Sequence, residues 1–244
     1  MLPRIVLPLA WADVRGAEHH HAGGSYSNRD EALAVASLVV HSLLYVDAAR
    51  VGVICLYRAQ ASAVQRLLEN VAAVVRRPVP QAVGALCASL AATAAAAGAD
   101  AAPTQDIATL ARRAAAVKVS TVDAFQGEAR PVFLLLLLLF AHPCSHPIYS
   151  FVCSYFAHDA LQGDERDVVI LSCVRSALGS AAAGGRGGAS GFVASPERLC
   201  VALTRARRHL LICGNRSVLV RSDPLWRAVA AACVRVRRAA APAP

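Results

Sequence analysis

The feature that most limits how this chain can fold is a regular alternation of short, unbroken apolar runs with longer segments of helical periodicity. Residues 51–56 are apolar without interruption, as expected of a strand covered on both faces of a sheet. Before them, Asn28 or Asp30 can cap a helix running to about Leu44, with Ala32, Val35, Ala36, Val39 and Leu43 on one face. The same two patterns recur. A strand is expected within residues 5–14, a helix over about 60–74, and strands at 118–122 and 167–173. A helix over about 196–205 follows, with Pro196 suited to its first turn, then a strand at 209–213 and a helix over 225–233. Strands alternating with helices predict an α/β domain whose mostly parallel sheet carries helices on both faces.

Three stretches stand outside this alternation. Residues 78–116 are rich in alanine with Pro and Gly punctuation, and read as an insertion of mixed helix and disorder. Residues 181–190 form a Gly/Ala loop, and residues 127–162 break a motif described below. The expected organisation is one domain over 1–244 with insertions at 78–116 and 127–162. Hydrophobic residues at 56% against 17% charged leave ample material for a core, although alanine tracts and one leucine run inflate the count.

The formal net charge is +9, carried almost wholly by arginine, with Lys118 the sole lysine. A polyanionic partner explains such a balance, because cations that neutralise phosphates release counterions. Arginine-rich coding by a GC-rich genome explains it equally, so charge alone does not decide. The eight cysteines are scattered, with no C-x-x-C pair and no Cys/His spacing suited to zinc, so no metal site is expected and a reducing compartment is. The run His19, His20, His21 is read as a flexible loop rather than a metal site. The apolar start of the chain is short and broken by Pro8, and reads as a strand rather than a signal peptide. The apolar core that begins at Val132 ends at Ala141, before His142 and Pro143, too short for a span of ~20 residues. An intracellular protein of nucleus or cytoplasm, with no membrane partner, is the expectation.

The chemistry-bearing motifs begin with an internal echo. Asp123-Ala-Phe-Gln-Gly127 is repeated as Asp159-Ala-Leu-Gln-Gly163, and removing residues 127–162 joins the chain as VSTVDAFQ-GDERDVVILSCVRS. That joined string resembles motif V of the AAA-type superfamily 1B helicases, the group of the nonsense-mediated-decay helicase, senataxin and the GRF-zinc-finger proteins. Ser195-Pro-Glu-Arg-Leu-Cys-Val-Ala-Leu-Thr-Arg-Ala-Arg207, with its trailing LLICGN, resembles motif VI. Val53-Ile-Cys-Leu-Tyr-Arg-Ala-Gln60, preceded by Tyr26-Ser-Asn-Arg-Asp-Glu-Ala32, resembles motif IV. The likeness covers most of residues 5–75 and 117–233.

The resemblance implies a RecA-like P-loop NTPase fold and the second, C-terminal lobe of an ATP-dependent helicase. ATP with Mg2+ would then sit between two lobes, and a single strand of RNA or DNA would be the track. Arg205 matches the arginine finger that stabilises the phosphoryl-transfer transition state, worth ~10³ to 10⁵ in rate. The plain alternative is one more arginine on a solvated helix. Tyr57 matches the ring that stacks on adenine, or else is a half-buried anchor at a strand end. Arg58 and Gln60 would lie beside it on the nucleotide, although the position after the glutamine, an arginine in some relatives, is Ala61 here. Glu165 matches the carboxylate that reaches the ribose, and Gly163 would allow close backbone approach to phosphates. Thr121 and Arg175 are the candidate strand contacts.

The segment 127–162 is rich in Leu, Phe, Pro, Ser, Cys and His, residues with pyrimidine-rich codons, as a translated intron would be. No G-x-x-x-x-G-K-[ST] loop occurs in the sequence, and no magnesium-binding Asp-Glu pair follows an apolar strand. Phosphate grip and metal ligands are therefore expected from a first RecA-like lobe, and this chain alone is expected to be inactive. An arginine-rich nucleic-acid-binding module that keeps the fold without the motor is the competing expectation.

Overall fold

The computed structural model describes residues 9–96, 106–125, 165–177 and 196–233. Gly163, the segment 127–162 and the Gly/Ala loop at 181–190 lie outside them. The strands are β1 (Leu9–Asp13), β2 (Glu18–His20), β3 (Tyr26–Asn28), β4 (Val51–Cys55), β5 (Lys118–Thr121), β6 (Arg166–Ser172) and β7 (Ala206–Gly214). Five of them form one sheet in the order β1-β7-β6-β4-β5, with every neighbouring pair parallel. β2 and β3 make a separate antiparallel hairpin, turning where Gly24 takes φ +74°. This is the predicted α/β architecture, a RecA-like fold.

Strand residues alternate between two cores because successive side chains leave a strand on opposite faces. Val168 and Ile170 join one cluster, Val169 and Leu171 the other. The first face is covered by α1 (Arg29–Ser42), α2 (Arg58–Glu69), α3 (Val71–Val75), α4 (Gln81–Ala96) and α5 (Ile107–Ala115). The second is covered by α6 (Pro196–Thr204), α7 (Arg216–Ser222) and α8 (Pro224–Ala232), which deliver Leu199, Leu203, Leu219, Trp226 and Val229. Trp226 is fully buried edge-on against Trp11, whose indole donates to the Gly214 carbonyl at 3.0 Å, locking β1 to the end of β7.

Three expectations are corrected. Residues 81–96 and 107–115 belong to the core: Val83, Leu86, Leu110 and Ala114 are buried in the first layer. Alanine-rich composition hid this, because small residues pack helices closely while giving a weak periodic signal. The helix expected over 60–74 is two, since the Asn70 side chain accepts from the Ala73 amide and restarts the chain as α3. His19 and His20 lie in strand β2 instead of a flexible loop. Among the described residues no helix is long and apolar enough to cross a membrane.

Candidate functional site

All strands of a parallel sheet begin at one edge and end at the other, so each motif belongs to one edge according to whether it precedes or follows its strand. Glu165 precedes β6 and Arg205 precedes β7. The Arg166 amide donates to the Arg205 carbonyl at 3.0 Å, and Arg166 is in register with Ala206, so the two motif residues are neighbours at the amino edge. Both are buried, Arg205 to 2% exposure and Glu165 to 7%. Burial disfavours the Arg205 charge, and the Glu165 carboxylate opposes that effect. Arg207 donates to Glu165 at 3.0 Å from the outer side, half-exposed itself.

The same edge gathers more cations. Arg50 just before β4, Lys118 at the start of β5, and Arg166 and Arg208 at the starts of β6 and β7 crowd together with Arg205 and Arg207. Asp167 accepts from Arg50 and lies 3.6 Å from Arg208. Partial burial and then the neighbouring Arg166 hold Lys118 below its usual pKa; partial burial and then Arg207 do the same for Arg166. Cations that depress one another's pKa are a surface short of negative charge. That fits a polyphosphate.

Tyr57 is elsewhere. It follows β4 at the carboxyl edge, level with Val174 by the pairing of Cys55 with Ser172. Along β6 that level is about 25–30 Å from Glu165 at ~3.3 Å per residue. The expectation that Tyr57, Glu165 and Arg205 meet on one nucleotide is therefore corrected: the last two converge and the first does not. Tyr57 is 7% exposed and packs edge-on against Tyr26 at 5.3 Å. Arg175 donates to its hydroxyl, sits 4.5 Å from the Tyr26 ring centre and pairs with Glu18 at 3.0 Å. Burial works against the Arg175 charge, but Tyr57 and Glu18 more than offset it. Glu18 also accepts from the Ser176 and Ala177 amides. Arg175, expected as a strand contact, is thus the clamp that holds the hairpin to the end of β6.

Gln60 is also turned inward, a correction to its expected nucleotide role. Its amide bridges the Asn28 amide, the Asn28 carbonyl and Ser172 Oγ, at 2.9, 3.2 and 3.0 Å, and is fully buried. Beside it Glu31, wholly buried, accepts from Ser172 Oγ at 2.6 Å and the Val174 amide at 2.9 Å. Burial pushes the Glu31 carboxyl up to about 7. This network holds Val174 at φ +73°, a left-handed conformation costly for a β-branched residue, and so aims Arg175 at the hairpin. Gly16 is required here, because a Cβ would come within 2.4 Å of Asn28 Oδ1.

Arg58 and Thr121 do come together. They line an open groove of about 440 Å³ between α2 and β5, with Ser62, Gln65, Arg66 and Ser120. The signals in the sequence were uneven. Arg207 and Arg66 carried none that separates them from other arginines. The Tyr26-Ser-Asn-Arg-Asp-Glu-Ala32 string held Asn28 and Glu31 in plain view, but not their buried partners.

The chain is similar in sequence to known helicases. The AAA domain family matches residues 2–137 and 153–217. The helicase required for RNAi-mediated heterochromatin assembly 1 of Schizosaccharomyces pombe is 46% identical over 68 residues, 28% of this chain and 6% of that protein. Regulator of nonsense transcripts 1 of Dictyostelium discoideum is 50% identical over 68 residues, 28% of this chain and 4% of that protein. A 5'-3' DNA helicase of Mus musculus is 45% identical over 75 residues, 31% of this chain and 3% of that protein. The matches thus span only a small fraction of these relatives' length.

Proposed function

The chain belongs to the AAA domain family of superfamily 1B helicases, and on that premise we propose that it is the second RecA-like lobe of an ATP-dependent nucleic-acid motor. The observation that carries this reading is the amino edge of the sheet, where Arg205 and Glu165 adjoin among crowded cations. A triphosphate held against that edge by a first lobe meets fixed positive charge in a partly dehydrated setting, where charge is most effective.

In this reading Arg205 turns its planar fork from Glu165 toward the transferring phosphoryl group as the lobes close. Glu165, held ready by Arg207, is the acceptor for a ribose hydroxyl. Tyr57 and Gln60 shape the opposite edge and do not touch the nucleotide. Magnesium would supply charge neutralisation at the phosphates, with its ligands expected from the first lobe; among the described residues no cluster of three or more potential ligands exists. Without the phosphate-cradling loop the 244 residues do not hydrolyse ATP by themselves. The break in the family match, at residues 138–152, falls inside 127–162 and supports reading that part of the segment as dispensable.

The test is a chimaera joining a relative's first lobe to this chain. Strand-stimulated ATPase activity that disappears in Arg205→Ala, with nucleic-acid binding retained, supports the motor lobe. ATPase activity indifferent to Arg205→Ala supports instead the non-catalytic, arginine-rich binding module.

A further inference from the structure

We propose that the outer face of the β2–β3 hairpin binds a late first-row divalent cation of the nickel, copper and zinc class, with His19 and His21 as its protein ligands. The inference is independent of the motor-lobe reading and uses none of its residues. Three adjacent histidines on a flexible loop would be interchangeable. In a strand they are not, because successive side chains leave on opposite faces. His20 pairs with Tyr26, its ring centre 4.7 Å from the tyrosine ring, on the face where Glu18 meets Arg175. His19 pairs with Ser27 on the other face, and His21 joins it there. The two imidazole centres are 5.0 Å apart, and His21 Nε2 lies 2.8 Å from Ser27 Oγ. Both histidines are exposed.

The backbone fixes the pair. The His21 amide donates to the Ser25 carbonyl at 2.9 Å, and the Gly24 amide returns to the His21 carbonyl at 3.0 Å. Gly24 closes this tight turn in the left-handed conformation that glycine takes without strain. On the inner face the Arg175–Glu18 ion pair pins the hairpin to the end of β6. A metal bonded to an imidazole nitrogen at ~2.1 Å lies roughly 3.2 Å from the ring centre. Two centres 5.0 Å apart can both stand at that distance from one point, where they subtend about 100°. That angle lies between square-planar and tetrahedral, so rotation of the rings in place brings both nitrogens to one cation. A ligating histidine is commonly steadied through its other ring nitrogen. The Ser27 hydroxyl is placed to do this for His21 through Nε2, which leaves Nδ1 for the metal. Among the described residues no third His, Cys, Asp or Glu joins the pair, so water completes the coordination and the cation is exchangeable. Imidazole without carboxylate selects nickel, copper and zinc over Mg2+ and Ca2+, which take oxygen ligands. A two-stranded hairpin is marginal by itself, and a cation bridging residues 19 and 21 stiffens the element that Arg175 clamps from the other side.

The experiment is calorimetric titration of the whole chain with NiCl2, a probe that does not oxidise thiols, repeated on His19→Ala/His21→Ala and on His20→Ala. The unmodified chain should bind one Ni2+ that the double variant lacks, while His20→Ala keeps it. Ni2+ should also raise the Tm of the unmodified chain and of His20→Ala, and not that of the double variant. In EDTA all three should unfold at the same Tm, because the substituted rings are exposed. Should the double alanine variant fold poorly, His19→Gln/His21→Gln keeps size and polarity and decides the same point. Equal losses from His20→Ala and the double variant overturn the proposal, since a flexible histidine run would then be the ligand. Unchanged Ni2+ binding in the double variant overturns it as well, placing the cation elsewhere on the chain. So does equal binding of Mg2+ at the pair.

Discussion

The amino edge of the sheet and the α2–β5 groove are both basic, and they carry their charge in opposite ways. At the amino edge arginines are crowded, partly buried and braced by Glu165 and Asp167, and burial, then their own repulsion, draws down the pKa of Lys118 and Arg166. In the groove Arg58 and Arg66 stand exposed and separate, with no ion pair to either among the described residues. Preorganised, poorly hydrated charge suits a small and compact polyanion, because it acts strongly at short range. Exposed charge is screened within about 10 Å at 0.1 M salt and suits a long polyanion that can be released step by step. One sheet thus carries two kinds of basic surface.

The largest effect that tests this contrast comes from Arg205. In the chimaera, Arg205→Ala should lower the ATPase rate by ~10³ or more, and Arg205→Lys should recover little of it because a lysine lacks the fork. Steady-state phosphate release is the measurement, and strand affinity should stay within twofold. A comparable loss of strand affinity would mean that the two sites are one.

Tyr57 tests the carboxyl edge. Replacing it with alanine removes a buried ring from between Tyr26 and Arg175 and should cost about 3–4 kcal/mol in urea unfolding. The KM for ATP in the chimaera should not move. If KM rises tenfold while stability is untouched, adenine stacks at that edge and the separation argued here is wrong.

Glu31 gives a pH signature to the same edge. Its carboxyl sits near 7 in the folded chain against 4.5 for the free group. The folded state therefore holds its proton more tightly, and the associated stability is complete below about pH 4.5 and gone above about pH 7. The unmodified chain should lose on the order of 3 kcal/mol across that window. Glu31→Gln should flatten the profile, read by unfolding at pH 5 and pH 8. Identical profiles for both proteins would place the titration elsewhere.

The smallest expected effect concerns the path between the edges. Cys55 pairs with both Thr121 and Ser172, so the chain leaving β5 must return the length of β6 to reach Arg166. That diagonal is roughly 22 Å, and residues 122–126 joined directly to 163–165 reach about 26 Å once the 3-10 turn at Val122–Phe125 opens to extended chain. Deleting 127–162 should therefore leave cooperative unfolding and Tm unchanged or slightly raised. A shortened chain that no longer unfolds cooperatively would mean that the segment is needed.

Much of this was legible before any coordinates. Residues 51–56 and 167–173 announced buried strands by unbroken apolar runs, and motif VI placed a helix, an arginine and a strand in the order found. The separation of Tyr57 from Arg205 was legible too, in strand polarity: one follows its strand and the other precedes it. What could not be read was α4, whose alanines blur the helical period, and the hairpin of β2 and β3, too short to show one.

The sequence by itself determined the doubly covered parallel sheet and the presence of motif residues at strand ends, because burial periodicity is a local property of a few consecutive residues. Only the tertiary structure decided which arginine is spent on what. Arg175 is taken up by Glu18 and Arg207 by Glu165, while Arg58 and Arg66 stand exposed on the wall of an open groove. Such choices depend on side chains that the fold brings together from distant parts of the chain, and in sequence one arginine looks like another.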